Sequence, residues 1–358
     1  MCRALIACLA LILSFAANPA WAQMRWHDTL VNFATLPAGV RFPEGITANP
    51  ATGDIYVATF DTIGPNPNKL LRYSRHGQLV GSRTIETPML GLAFGPSDSK
   101  VYITNFNQSK IQRVASDLDG TIEDVATLPL KIGAPANRIE GNPDGSSDTI
   151  QFGSVGFPAP NAMVFDRSGN LYVSDSFQGA IYRIDNAQGC IAPCGVTTVL
   201  HHPLLATAGF PPFGANGLAL SKDELTLFVA NTGDDRVLKV DLAASPVSVS
   251  VFTESINGAD GIAFDDSGIL WVAANQADEI VGLNAAGRVV AKIGAFDKIG
   301  ADGAPEGLLF PASLVLVGRE VYITNLALPL TPAVGDEPEE DVTRWTVSRF
   351  RLLPNRRQ

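Results

Sequence analysis

Four oxygen-bearing side chains occupy the same position in a short segment that recurs six times along the chain. The position precedes a small residue and holds, in chain order, Glu44, Leu90, Asn161, Asn216, Asp260 and Ala312. Two carboxylates brought close together repel each other unless protons or a cation neutralise them. Oxygen donors without His or Cys suit a hard divalent cation such as Ca²⁺ better than zinc or copper. If the segments converge, Glu44 and Asp260 balance a divalent charge, and the two Asn carbonyls add ligands.

The competing interpretation is that these side chains belong to ordinary turns. Asp or Asn before Gly is common in turns, and Asn216 and Asp260 each precede a glycine. A turn does not explain Glu44, because Glu is a poor turn former and stands at the same register as the others. We therefore favour a metal site whose remaining positions stay open to water or substrate.

Each of the six segments opens a repeated pattern of short strands and tight turns. The segments begin at residues 43, 89, 160, 215, 259 and 311, which places them 44 to 71 residues apart. They are followed by turns such as 166–169 and 265–268, a second strand such as 171–175 and a third such as 180–184. Such spacing is typical of four-stranded propeller blades with insertions. No stretch keeps a 3.6-residue periodicity free of Gly and Pro, so the sequence predicts an all-β, six-bladed β-propeller with few helices.

This fold would bring the six positions together. The first strand of each propeller blade lines the central channel, so equivalent positions at the strand starts form a ring at one mouth. The sixth blade lacks room for four strands before the acidic loop at 335–341. We expect residues 345–352 to supply one strand and residues 29–34 to complete the sheet, which leaves no blade edge unpaired.

Two long insertions, at 131–156 and 294–307, each precede an inner strand. We expect both on the face where the inner strands begin. The first contains an Asp- and Asn-rich stretch at 141–148 that could bind calcium. Its spacing is not that of an EF-hand, so a solvated turn is the favoured interpretation.

The overall composition narrows the class of protein. Only 17% of the 358 residues are charged, which argues against a disordered or coiled-coil chain. The 33 Gly and 24 Pro residues indicate many short elements joined by turns. With 26 Lys and Arg against 36 Asp and Glu, the net charge is −10. An acidic chain without a basic stripe predicts no nucleic-acid partner.

The first 22 residues have the features of a secretory signal peptide. Arg3 precedes an apolar run at 4–17, and Ala20-Trp21-Ala22 is a small-x-small cleavage site. The run is too short to span a bilayer, and no second one follows, so we expect no membrane span. A lipoprotein box ending at Cys8 is the weaker alternative, because too few residues precede it. We expect removal of 1–22, a propeller domain over 23–358 and a periplasmic or extracellular location.

The two cysteines outside this segment, Cys190 and Cys194, lie four residues apart in a predicted loop. In an oxidising compartment this spacing favours a local disulfide. Zinc is the weaker alternative, because it would need two further ligands, such as His201 and His202.

The segments at the predicted channel mouth resemble those of a known family. Pro43-Glu-Gly45, Ala215–Leu220 and Ala259–Phe264 are similar to signature segments of the senescence marker protein, gluconolactonase and luciferin-regenerating enzyme family. The resemblance extends over residues 40–326, and paraoxonases and squid-type phosphofluoridate hydrolases are relatives. It implies Ca²⁺-dependent hydrolysis of lactones or phosphoesters. It also implies Glu44, Asn161, Asn216 and Asp260 as metal ligands, with Asp260 as catalytic base or nucleophile.

Departures from the paraoxonase pattern limit what the resemblance implies. Leu90 stands where paraoxonases place a catalytic His, and Gly45 and Ala162 stand where they hold a structural calcium with acids. The chain is therefore more similar to the gluconolactonase branch, with a single metal. The sequence predicts an exported, calcium-dependent hydrolase of the lactonase type, acting on a small lactone or ester.

Two alternatives remain open. One is a non-catalytic propeller that binds a ligand or protein partner, since fold does not fix function. The other is a metal-free, carbon–nitrogen-forming propeller that resembles strictosidine synthase, against which the Asn161 and Asn216 pair argues.

Overall fold

Six four-stranded antiparallel sheets form the blades of a β-propeller in the computed structural model, which describes residues 27–129, 133–152 and 157–353. The predicted all-β, six-bladed architecture is confirmed. Helical structure in these ranges consists of short 3₁₀ turns at Pro203–Leu205, Asn275–Ala277 and Pro338–Asp341. None of the described helices has the length and apolar character needed to cross a membrane. The predicted signal peptide, residues 1–22, lies outside the described residues.

Blades 1 to 5 each consist of four consecutive strands, with the innermost strand first. Blade 1 contains β2 (Pro43–Ala48), β3 (Ile55–Thr59), β4 (Asn68–Tyr73) and β5 (Leu79–Ile85). Blade 2 contains β6 (Met89–Phe94), β7 (Lys100–Asn105), β8 (Lys110–Ala115) and β9 (Glu123–Thr127). Blade 3 contains β12 (Pro160–Phe165), β13 (Leu171–Asp175), β14 (Ala180–Ile184) and β15 (Thr197–His201).

Blade 4 contains β16 (Ala215–Leu220), β17 (Thr226–Asn231), β18 (Arg236–Asp241) and β19 (Ser248–Glu254). Blade 5 contains β20 (Ala259–Phe264), β21 (Leu270–Ala274), β22 (Glu279–Leu283) and β23 (Val289–Ile293). Two hairpins lie between blades, β10 (Arg138–Gly141) with β11 (Ser147–Ile150) and β24 (Phe296–Ile299) with β25 (Pro305–Gly307).

Blade 6 joins the two ends of the described chain. It contains β26 (Pro311–Val317), β27 (Glu320–Asn325), β28 (Thr346–Arg351) and, as its outer strand, β1 (Val31–Thr35). β1 pairs antiparallel with β28, and Val31 lies opposite Arg349. The predicted closure of the ring by the N-terminal strand is confirmed.

Neighbouring blades pack through aromatic side chains between their sheets. Tyr102 on the second strand of blade 2 contacts Phe165 on the inner strand of blade 3, with ring centroids 5.0 Å apart and the rings edge to face. Phe228 and Phe264 repeat this contact between blades 4 and 5 at 5.2 Å. Such buried aromatic pairs combine a large apolar area with a preferred geometry. They hold the inner strands at a fixed spacing around the channel.

The inner strands all run from one face of the propeller, here called the upper face, to the opposite lower face. The turns between first and second strands lie on the lower face. The hairpins β10–β11 and β24–β25 connect an outer strand to the next inner strand and therefore lie on the upper face, as predicted. The Asp- and Asn-rich stretch forms the turn of β10–β11, where the Ser146 backbone N–H donates to Asp144 Oδ1 at 2.9 Å.

Candidate metal centre and active site

The upper ends of the inner strands bring the four predicted ligands into one ring. Glu44, Asn161, Asn216 and Asp260 all line a single pocket at the channel mouth, beside Leu90. Each is buried, with 2% to 4% of its surface exposed. The structure thus places together four polar side chains that are spread over 216 positions of the chain.

A bulge in every inner strand explains why these side chains point into the channel. Pairing with the second strand shifts register across the ring position in all six blades, for example between Pro43 and Ile46 and between Ala259 and Ile262. A bulge releases two residues from regular pairing and redirects a side chain.

The small residue after each ring position is needed where adjacent inner strands meet. A Cβ atom on Gly45 would overlap the carbonyl oxygen of Leu90, and one on Gly217 would overlap that of Asp260. Close approach at these glycines therefore brings the ring residues of neighbouring blades together.

Hydrogen bonds orient the two asparagines. Asn161 Nδ2 donates to Ser176 Oγ at 3.0 Å, and Asn216 Nδ2 donates to Thr232 Oγ1 at 2.9 Å. Each hydroxyl in turn donates to a backbone carbonyl of the next blade, at 2.7 Å in both cases. Because the amide nitrogens are engaged in this way, the carbonyl oxygens are left as the groups available to a ligand.

The two carboxylates are only partly satisfied. Asp260 Oδ2 accepts a hydrogen bond from Asn275 Nδ2 at 2.9 Å. Asp260 Oδ1 and Glu44 Oε2 are buried, and neither has a hydrogen-bond partner among the residues that the structure describes. Buried polar atoms are rarely left in this state without an ion, a water or a functional role.

Protonation is the other way to neutralise the pair. Burial, followed by repulsion from Asp260, raises the pKa of Glu44 well above its usual range. Burial raises the pKa of Asp260 to about 7, although interactions with the Asn275 and Asn216 side chains oppose this shift. Without a cation, the site therefore holds protons at pH values where exposed carboxyl groups are ionised.

The donor set fits a hard divalent cation. It offers two carboxylates and two oriented amide carbonyls, and the free space beside them is about 40 Å³, room for an ion and a few water molecules. No cluster of three or more His, Cys, Asp or Glu side chains was found in the described ranges. Half of the donors here are neutral amides, which favours Ca²⁺ over metals that require nitrogen or sulfur ligands.

Sequence reasoning missed the side chains that support the ring. Ser176, Thr232 and Asn275 each follow directly after the second strand of blades 3, 4 and 5. A second repeat position therefore carries the supporting groups, and aligning the residues after the second strands would have found them. In blades 6, 1 and 2 the same position is apolar and holds Leu326, Phe60 and Phe106.

Much of the pocket is lined by hydrocarbon. We call this surface the apolar wall and define it by six residues: Phe60, Phe213, Phe310, Leu326, Leu328 and Leu330. It rises from blades 6, 1 and 4 around the ring of candidate ligands.

The predicted cysteine pair lies at the opposite face. The sulfur atoms of Cys190 and Cys194 are bonded, and their Cα atoms are 5.8 Å apart, within the range of disulfides. Their loop enters β15 at the lower face, whereas His201 and His202 follow at the upper end of that strand. The zinc alternative is therefore disfavoured, and formation of the disulfide in the exported protein stays a prediction.

Comparison with known proteins relates part of the chain to a described family. Residues 208–295, which include Asn216 and Asp260, match the family described as SMP-30/Gluconolactonase/LRE-like region. The resemblance to this family is confirmed. The lactonase drp35 of Staphylococcus saprophyticus is 30% identical over 139 residues, which cover 36% of this chain and 40% of that protein. The chain thus spans about two fifths of the length of this curated relative.

Solved structures support the fold over nearly the whole chain. A luciferin-regenerating enzyme has a TM-score of 0.59 at 16% identity, covering 88% of this chain and 93% of its own. Regucalcin from Agrobacterium tumefaciens, described as a calcium-binding protein, has a TM-score of 0.56 at 16% identity, covering 91% of this chain and 99% of its own. At these identities the likeness concerns the fold alone.

Proposed function

We propose that the chain is a calcium-dependent lactonase that acts outside the cytoplasm. One observation carries the proposal: two buried carboxylate oxygens without partners among the described residues belong to a pocket that is also lined by two asparagines whose amide nitrogens donate to hydroxyl groups. A cation would satisfy all of these atoms at once. The similarity to a curated lactonase over part of the chain supports the same reaction class.

Glu44, Asn161, Asn216 and Asp260 would hold the ion. When bound, Ca²⁺ supplies Lewis-acid polarisation of an ester carbonyl and stabilises the developing oxyanion. Asn275 fixes Asp260 through its Oδ2 and leaves Oδ1 facing the pocket.

From that position Asp260 acts as general base. It accepts the proton of a water that attacks the acyl carbon, the ring C–O bond breaks, and the departing oxygen receives the proton. Direct attack by Asp260 on the carbonyl is the alternative route, and it would form an acyl-enzyme that water then hydrolyses.

Export is the part of the proposal that rests on the sequence. Arg3, the apolar run at 4–17 and the Ala20-Trp21-Ala22 site support a cleaved signal peptide. Intact-mass measurement of protein collected outside the cytoplasm would test this directly. A mature chain beginning at Gln23 is expected, and full-length protein retained in the cytoplasm would contradict it.

The central experiment measures calcium binding and lactone turnover on the same preparation. Protein stripped with EDTA is titrated with Ca²⁺ in a calorimeter, and hydrolysis of several lactones is followed before and after calcium is restored. We expect stoichiometric binding of one ion and turnover that depends on it. Calcium binding without turnover of any lactone or ester would instead favour a non-catalytic binding propeller. Turnover unaffected by EDTA would contradict the metal's role.

A further inference from the structure

The residues directly after the second strands of the blades fall into two groups, one polar and one apolar. The residue after the second strand is polar in blades 3, 4 and 5 and is engaged in orienting the candidate ligands. In blades 6, 1 and 2 it is Leu326, Phe60 and Phe106. The apolar residues are therefore grouped on consecutive blades, and Phe60 and Leu326 line the same pocket as the ring of candidate ligands.

Phe177 and Phe213, from the loops of blades 3 and 4, pack with Phe60 and Phe106 in one aromatic cluster. The Phe60 and Phe106 ring centroids are 5.2 Å apart, Phe106 and Phe177 are 5.6 Å apart, and Phe177 and Phe213 are 5.4 Å apart. Phe60 and Phe213 close this circuit at 6.4 Å. Phe177 and Phe213 are only partly buried, and Phe213 lines the pocket.

The segment after β27 adds aliphatic side chains to the same surface. Leu326, Leu328 and Leu330 lie in the loop after β27, and all three line the pocket. The Glu337 carboxylate accepts hydrogen bonds from the backbone N–H groups of Leu330 and Thr331, at 2.6 and 2.9 Å, which holds the loop in place. Leu328 and Leu330 remain half-buried.

The pocket offers little to bind a polyhydroxylated molecule. Among the described residues that line it, every polar side chain is either a candidate ligand or a group that orients one. A substrate hydroxyl buried against the apolar wall would find no partner, which costs roughly 5- to 150-fold in affinity per group. Each methylene buried there would gain about fourfold.

We propose that the substrate class of this site is lactones with a hydrocarbon substituent, alkyl or aryl, rather than sugar lactones. The inference rests on the proposed lactonase function and specifies its substrate. The lactone carbonyl would lie at the ligand ring, and the substituent would extend out of this small space along Phe213 and Leu330, which are only partly buried.

A series of lactones tests the proposal with calcium saturating. We expect kcat/KM to rise about fourfold per methylene over the first carbons from γ-butyrolactone toward γ-decalactone. γ-Decalactone should exceed glucono-1,5-lactone by at least about 100-fold, since several hydroxyls are penalised. Equal or better turnover of glucono-1,5-lactone would overturn this substrate class while leaving the lactonase function intact.

Two variants and a matched control locate the effect. Phe213→Ala and Leu330→Ala should each lower kcat/KM for γ-decalactone by about tenfold or more and leave γ-butyrolactone within about twofold. Phe210→Ala is the control, because Phe210 is in the same loop, is 55% exposed and does not line the pocket. Equal losses on both lactones would mean that the wall is structural and would refute the proposal.

A binding measurement tests the apolar ligand class separately from the lactonase function. Calorimetric titration of the calcium-loaded protein with γ-decalactone and with gluconate does not require turnover. Binding of γ-decalactone without hydrolysis of any lactone would reject the enzyme and retain the apolar ligand class. Absence of both binding and hydrolysis would reject both.

Discussion

Asp260 and Asp265 lie five residues apart at opposite ends of the blade 5 inner strand, and their surroundings differ sharply. Asp265 Oδ1 accepts backbone hydrogen bonds from Ser267 and Ile269, at 2.8 and 3.0 Å, and its Oδ2 accepts one from Trp271 Nε1 at 2.9 Å. Asp260 Oδ1 is buried and has no such partner among the described residues. The lower aspartate closes a turn, whereas the upper one is left available for chemistry. The hydrogen bonds of each carboxylate thus show whether an aspartate belongs to an ordinary turn or is a candidate site residue.

The two ends of the channel also differ in the side chains that line them. Below the ring, the inner strands present a layer of apolar side chains around a cavity of about 970 Å³: Ile46, Leu92, Met163, Leu218, Ile262 and Leu314. Short turns close that face, and the interblade hairpins are on the other. The four candidate ligands line the pocket at the upper mouth, where loops have room to shape a site.

Replacing the two aspartates gives the largest contrast. Asp260→Asn should reduce kcat by about 10²- to 10⁴-fold, because it removes the base and retains the side-chain shape. Asp265→Asn should lower stability by about 1–3 kcal/mol through lost turn hydrogen bonds and leave kcat within about twofold. Lactone kinetics and thermal melting of both variants are the measurements. Similar losses of activity in the two variants would contradict the assignment of different roles to Asp260 and Asp265.

Glu44→Gln tests the charge balance of the ring. Removing one of two carboxylate charges should weaken calcium binding by more than about tenfold, since one formal charge at close range is lost. The fold should be retained, because the apolar cores between neighbouring blades do not depend on this carboxylate. Leu90→Ala, at the equivalent position of blade 2, is the control and should bind calcium as the wild type does. Calorimetry that gives equal affinity for wild type and Glu44→Gln would refute the site.

Calcium should change how the stability of the folded protein depends on pH. The pKa of Asp260 is raised from 3.8 to about 7, so the metal-free folded state binds more protons than the unfolded state between these values. The contribution of this group to stability is therefore largest below the unfolded pKa and is lost as the pH rises toward 7. Calcium must displace those protons, so the gain in melting temperature that it causes should shrink as the pH falls from about 7.5 to about 5. A calcium effect independent of pH would show that these carboxyls are not the ligands.

The smallest effect is expected at the lower-face disulfide. A cross-link that closes so short a loop contributes about 2 kcal/mol, so the Cys190→Ser/Cys194→Ser double variant should melt about 2–4 °C lower. Its calcium affinity and turnover should be unchanged, because the loop lies away from the ring. For the wild-type protein, the intact mass under non-reducing conditions should be lower by two hydrogen atoms than after reduction. A change in activity would mean that the two ends are coupled.

Most of the fold could be predicted from the repeated sequence pattern, because strand alternation, turn residues and small residues are local signals. Glu44 and Asp260 could be aligned for the same reason. The bulges that redirect them could not, since a register shift depends on pairing with a second strand. Asn275 escaped detection because its role depends on contact with a neighbouring strand. The apolar wall combines Phe213 with leucines from the segment after β27, and no local pattern links such distant parts.

Closure of the ring makes the site depend on the chain being whole. Asp28 and Arg351, whose hydrogen bond spans 323 positions, join the first and last strands. Thr324 of the same closing blade donates to the Glu44 carbonyl across 280 positions at 2.7 Å. During synthesis, the strand that emerges first must wait for the last one, and such distant pairing is slow. A truncated chain would leave blade 6 open and Glu44 without its backbone support, so completion of the polypeptide and assembly of the candidate site are the same event.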